Sequence, residues 1–117
     1  MPRAVDGTRR KDRRKRVLKL AKGYWGRRST LMRTAKDAVA KSLSYAYRDR
    51  KAKKRDFRQL WIARISAAVR EEGMNYSRFI AGLHRANVEV NRKILSNLAI
   101  EDREAFRALV ETAKKAL

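Results

Sequence analysis

The stretch RRSTLMRTAKDAVAKSLSYAYRDRKAKKRDFRQLWIARISAAVREE, residues 27–72, contains neither glycine nor proline. It is rich in Ala, Leu, Lys and Arg, the residues that lose least on entering a helix. Gly26 precedes it and Gly73 follows it. Ser29 or Thr30 suits the N-cap, where a side-chain oxygen accepts from a free backbone N–H. Gly73 suits the left-handed C′ position beyond the last turn. The pattern predicts one helix from about residue 30 to residue 72, roughly 60–65 Å long at 1.5 Å per residue. A domain of this size is not that wide, so the two ends must reach different surroundings.

The chemistry along the stretch agrees. Residues 31–47 carry a narrow stripe of Leu31, Ala35, Val39, Leu43 and Ala46, suited to a helix–helix contact or a shallow RNA groove rather than a thick core. Tyr45 and Tyr47 lie about 200° apart on a helix and cannot share one core. Residues 48–58 carry the cations Arg48, Arg50, Lys51, Lys53, Lys54, Arg55 and Arg58, which surround the axis. A helix on a flat anionic surface needs one basic face; cations on every side suit a helix enclosed by phosphate, as inside folded RNA. Asp49 and Asp56 are expected to bridge to neighbouring Arg. Phe57, Leu60, Trp61, Ile65, Ala68 and Val69 then recur at helical spacing, interrupted only by Arg64, so the last part of the helix enters a core.

Charge divides the chain at the same place. Of 117 residues, 32 are Lys or Arg and 12 Asp or Glu, for a net charge of +20. Residues 1–58 hold 22 of those cations and 5 acids, net +17; residues 59–117 hold 10 and 7, net +3. The large apolar residues Ile62, Phe79, Ile80, Leu83, Ile94, Leu95, Leu98, Phe106, Leu109 and Val110 fall in the second part. The fold class predicted is all-α, with a long basic helical N-terminal arm (1–58) running into a small C-terminal helical domain (59–117). There are no cysteines, hence no disulfide or thiolate metal site. No apolar run approaches the ~18–20 residues of a membrane span, and no signal-peptide core follows the basic N-terminus. These features predict a cytoplasmic protein that needs an anionic partner.

Residues 1–16 hold Arg3, Arg9, Arg10, Lys11, Arg13, Arg14, Lys15 and Arg16 and should be disordered in isolation. A short helix begun near Thr8 could extend through residues 17–21. Lys22-Gly23-Tyr24-Trp25-Gly26-Arg27-Arg28 breaks it, placing two aromatics between glycines and cations. Tyr24 and Trp25 suit stacking on bases; Trp25 equally suits packing on the start of the next helix. Beyond Gly73, three short helices are signalled. Asn75 caps the first, with Met74 and Phe79 as its hydrophobic staple, and Asn87 ends it. Asn91 caps the second, with Ile94, Leu95 and Leu98 facing inward. Asp102 caps the third, whose stripe is Ala105, Phe106, Leu109, Val110 and Ala113.

No constellation for chemistry is present. The one histidine, His84, lacks triad partners; there is no metal-ligand spacing and no phosphate loop. An enzyme, a cofactor and a small-molecule substrate are not expected. A membrane-active helix would need a broad apolar face opposite its charge, which 48–58 lacks. A non-specific DNA-packaging protein fits the charge but would normally show a dimer surface or minor-groove device. Structured RNA fits better, because Arg and Lys alternate with Tyr and Trp along the arm.

Several segments closely resemble bacterial large-subunit ribosomal protein twenty. They are Met1-Pro2-Arg3, Arg16-Val17-Leu18-Lys19-Leu20-Ala21-Lys22-Gly23-Tyr24, Tyr45-Ala46-Tyr47-Arg48-Asp49-Arg50 and Lys54-Arg55-Asp56-Phe57-Arg58-Gln59-Leu60-Trp61-Ile62-Ala63-Arg64-Ile65. Tyr76-Ser77-Arg78-Phe79, Gly82-Leu83 and Asn91-Arg92-Lys93-Ile94-Leu95 extend the resemblance over essentially the whole chain. Residues 4–12 depart from it, since Asp6 and Asp12 lower the charge of the arm. The resemblance implies an extended helical arm and a compact helical domain, direct binding of 23S ribosomal RNA, and an early role in assembling the large subunit beside neighbouring ribosomal proteins. In some members the C-terminal domain also binds its own mRNA and represses translation. Residues expected at the RNA are the cations of 1–16 above, with Lys19, Lys22, Tyr24, Trp25, Arg27 and Arg28. Arg48, Arg50, Lys51, Lys53, Lys54, Arg55 and Arg58 join them from the long helix. In the domain, Arg64, Arg78, Arg92 and Lys93 are the expected readers, with Ser77 and Asn91 as polar partners or simply as caps.

Overall fold

The structure, a computed structural model, describes residues 7–117. The described residues form five α-helices and one 3-10 turn, with no strand. In order these are α1 (Arg9–Leu20), the turn Gly26–Ser29, α2 (Met32–Glu71), α3 (Tyr76–Arg85), α4 (Arg92–Glu101) and α5 (Arg103–Lys115). Two compact units are formed, Met1–Lys51 and Ala52–Leu117, and α2 contributes to both.

The long helix is 40 residues, unbroken by the polar run at its middle. Its start differs from expectation. Ser29 lies inside the 3-10 turn and its hydroxyl donates to the Gly26 carbonyl at 2.8 Å, so it is not free to cap. Thr30 follows that turn, and Leu31 N–H donates to Arg27 O at 2.8 Å, carrying the chain straight into α2. The end is as expected. Gly73 sits at φ +75°, with Met74 N–H donating to Val69 O at 3.1 Å and Gly73 N–H to Arg70 O at 3.0 Å. That is a Schellman ending, which satisfies two free carbonyls and folds Met74 back toward the core.

In the first unit, Ala21, Ala35 and Val39 are buried, with Val17, Leu18 and Tyr24 packed on them. This is the narrow helix–helix seam that the small-residue stripe of α2 implies; Leu31 and Leu43 stay exposed. Tyr24 Oη donates to Ser42 Oγ at 2.8 Å, fastening the loop after α1 to α2.

In the second unit, Ile65 and Val69 of α2 join Phe79, Leu83, Leu95, Ala99, Phe106, Val110 and Ala113 in one buried cluster. Phe79 and Phe106 meet at 5.6 Å between ring centroids. All three short helices start on the expected caps. Asn75 Oδ1 accepts from Arg78 N at 2.9 Å, Asn91 Oδ1 from Ile94 N at 2.9 Å, and Asp102 Oδ1 from Ala105 N at 3.0 Å. Asn87 ends α3 at φ +54°, with Val88 N–H donating to Leu83 O at 3.0 Å. Gly82 of α3 lies so close to α5 that a Cβ there would be 2.5 Å from the Ala113 carbonyl oxygen.

Two expectations about this core are corrected. Phe57 and Leu60 are exposed, and Trp61 and Ile62 are only half-buried and outside the cluster, because the core takes just Ile65 and Val69 from the large apolar residues of α2. Ile94 is 48% exposed. The inward face of α4 is centred on Leu95, Ser96 and Ala99, and Ile94 falls about 100° away from Leu95. Ser96, not singled out from sequence, is fully buried and its hydroxyl has no hydrogen-bond partner among the described residues.

Candidate nucleic-acid interface

In the first unit α1 buries no residue, and Arg9, Arg10, Lys11, Arg13, Arg14, Lys15 and Arg16 are all exposed. Asp12 is held at the helix start, its carboxylate accepting from Thr8 Oγ1 at 3.3 Å. Arg3 lies outside the described residues, as does Asp6. Lys19, Lys22, Arg27 and Arg28 are exposed. Trp25 is 90% exposed, so it does not pack on the start of the next helix. Tyr24, by contrast, is half-buried with its hydroxyl engaged, which leaves only part of its ring for a ligand. Both belong to an open groove of about 680 Å³, together with Arg28, Thr34, Asp37, Ala38, Lys41, Ser42 and Tyr45. Lys41 and Tyr45 were missed from the sequence, although their i, i+4 spacing on a helix was available there.

Farther along the unit, cations sit on aromatic faces. Arg48 Cζ lies 4.6 Å and Lys41 Nζ 5.6 Å from the Tyr45 centroid, and Lys51 Nζ lies 4.5 Å from that of Tyr47. Such contacts cost the cation little hydration while holding it at the surface. Arg48 Nε also meets Asp49 Oδ1 at 2.8 Å. That hydrogen bond, then the carboxylate charge, holds the guanidinium still more firmly protonated than usual. The bridge expected for Asp56 is absent: it forms no ion pair among the described residues.

The second unit gathers sequence-distant residues into one place. Lys54, Arg55, Arg58 and Trp61 from α2 line an open groove of about 560 Å³ with Asn91, Arg92 and Lys93 from the start of α4. Arg92 is half-buried and its Nε donates to Tyr76 Oη at 2.8 Å, which fixes the guanidinium. Asn91 caps Ile94, so the N–H groups of Arg92 and Lys93 at the first two helical positions remain to meet an anion. Lys53 reaches over the ring of Phe57, which in turn lies 6.1 Å from Trp61.

The remaining candidates are elsewhere. Arg78 belongs to a second groove, of about 570 Å³, beside Arg70, Asn75 and Lys114. Arg70 and Lys114 were not expected there. Lys114 Nζ donates to Glu72 O at 2.8 Å, a contact across sequence that no local pattern signals. Arg64 and Ser77 are exposed and line neither groove. Ser77 is not the cap of α3, since Asn75 is. Among the described residues no group of three or more His, Cys, Asp or Glu could hold a metal ion, and no helix is long and apolar enough to cross a membrane.

The family model for ribosomal protein L20 matches residues 3–109. The chain belongs to the ribosomal protein L20 family. It is 56% identical over 117 residues, 100% of each chain, to the large ribosomal subunit protein bL20 of Natranaerobius thermophilus. As a member of the L20 family it is a ribosomal protein, structural rather than catalytic. The basic helices, the capped starts of α3 and α4 and the Trp61 groove all lie within the matched residues.

Proposed function

We propose that this chain is a structural constituent of the large ribosomal subunit, held there by direct contact with 23S ribosomal RNA, and that it supports early assembly of that subunit. The observation that carries the reading is the groove of the second unit. There a half-exposed Trp61, a guanidinium fixed by Tyr76 and the open N-terminus of α4 meet three cations of α2. Cations and helix N–H groups hold phosphates, while an aromatic face takes a base. The exposed cations of α1 and α2 supply the electrostatic anchor, and the second unit supplies the selectivity for shape. Neighbouring ribosomal proteins complete the surroundings. Binding to its own mRNA, where it occurs, uses the same groove.

A titration of the full chain on 23S ribosomal RNA and on an unrelated duplex, across salt concentrations, tests this. Affinity should fall by roughly 0.7–0.9 log units per log unit of salt for each phosphate neutralised, on both RNAs. Preference for the ribosomal RNA should persist at high salt. Arg92→Ala should reduce that preference, and Arg78→Ala should lower affinity on both RNAs. A chain with no preference at any salt would make a general polyanion binder, and the DNA-packaging reading would then be the better one.

A further inference from the structure

The groove of the first unit holds one group that phosphate binding does not explain. Asp37 lines it together with the cations Arg28 and Lys41, yet forms no ion pair, hydrogen bond or ring contact among the described residues. It is the only acid of α2 before Asp49. A carboxylate repels phosphate, and in a segment with so many cations it lowers the affinity for any polyanion. It shares the groove, however, with three aromatic residues. Trp25 is 90% exposed, Tyr45 is backed by Arg48 and Lys41, and Tyr24 is tied to Ser42. Two exposed rings, Trp25 and Tyr45, and the accessible part of Tyr24 in one groove with a hydrogen-bond acceptor suit a flat ligand with donors on its edge.

We infer that this groove receives one unpaired guanine, stacked on Trp25, with Asp37 accepting from its N1–H and N2–H groups. The inference rests on the RNA-binding reading above and names the base that this part of the surface would read. Unpaired bases are recognised by aromatic stacking and by hydrogen bonds to the Watson–Crick edge. At neutral pH guanine is the one standard base with two adjacent donors on that edge, which match the two oxygens of a carboxylate. Adenine and cytosine each place a donor beside an acceptor, and uracil places its single N–H between two acceptors. The acceptor next to the guanine donors, O6, finds donors in the same groove. Lys41 provides an ammonium, and the hydroxyl hydrogen of Ser42 is left to donate because its oxygen accepts from Tyr24. A basic protein tail could also pair with Asp37, but the surrounding cations oppose it.

Kethoxal, which adds to N1 and N2 of unpaired guanine, reports on the atoms that Asp37 would hold. The full chain, its Asp37→Asn variant and its Trp25→Ala variant are bound to 23S ribosomal RNA. Kethoxal reactivity and hydroxyl-radical cleavage of the backbone are then read on each complex. The expected result is a guanine protected by the wild-type chain and restored to reactivity, by roughly fivefold or more, in both variants. Backbone protection should be the same for wild type and Asp37→Asn, because asparagine keeps the shape and removes a repulsive charge. Unchanged guanine reactivity between wild type and Asp37→Asn overturns the inference and leaves the RNA-binding reading standing. Loss of backbone protection in Asp37→Asn also overturns it, because the residue would then be holding the fold or the arm. If the wild-type chain protects no backbone at all, the RNA-binding reading falls, and the guanine site with it.

Discussion

Trp61 shows how far a single residue can be read. Its spacing with Ile65 and Val69 places it on the core side of α2, and the spacing is real. What the spacing does not contain is how far the other helices reach along α2. They cover Ile65 and Val69 and leave Trp61 half-exposed in a basic groove. Trp61→Ala should therefore cost only about 1 kcal/mol in a thermal melt, below the ~3–5 kcal/mol of a fully buried tryptophan. Its affinity for ribosomal RNA should fall by the ~1–3 kcal/mol typical of a lost stacking contact. A large drop in melting temperature with unchanged RNA binding would return Trp61 to the core. Ser96 is the opposite case, a small polar residue fully buried, its hydroxyl unpaired among the described residues. Burying such a group costs ~1–3 kcal/mol, so Ser96→Ala should raise stability by about 1 kcal/mol in denaturant titration. The caps Asn75, Asn91 and Asp102 were legible because a cap is decided within four residues. The groove contacts of Arg70 and Lys114 were not, because they join the ends of different helices.

Among the elements, the helices announce themselves through absent breakers, period and caps, and the structure keeps all the ones that the sequence signals. The ends need finer reading. The start of α2 is set by a 3-10 turn that uses up Ser29, and a propensity argument does not weigh such a competitor. Two glycines of the second unit illustrate different constraints on helix geometry. Gly73 needs a left-handed backbone with open space around it, whereas Gly82 needs the absence of a side chain against Ala113. Gly73→Ala should lower stability by about 1 kcal/mol, and Gly73→Asn by less, since Asn87 already occupies a like position at φ +54°. Gly82→Ala should cost more than about 2 kcal/mol, because α5 must move away from α3. Measuring the three variants by chemical denaturation separates backbone strain from overpacking. Equal losses for Gly73→Ala and Gly82→Ala would mean that α5 shifts at little cost.

At the scale of the whole molecule, the charge division and the hydrophobic division run together. The second unit has a cluster of buried Ile, Val, Leu and Phe, whereas the first, among the described residues, is held by a seam of two alanines and a valine. Hydrogen exchange on the free protein should show slow amides around Phe79, Leu95 and Val110 and fast ones through α1 and the front of α2. Adding ribosomal RNA should slow the latter group most. Equal protection of both units without RNA would show that the seam is more stable than its size implies. That seam also bears on how many copies of the chain persist in a cell. A segment held by so little buried surface opens often, and cleavage by proteases follows the population that is open. Copies made beyond the supply of RNA would be cut first in the basic helices, while copies enclosed by RNA would be spared. The lifetime of the chain would then follow the abundance of its partner, and matched amounts of the two would be kept without any dedicated sensor.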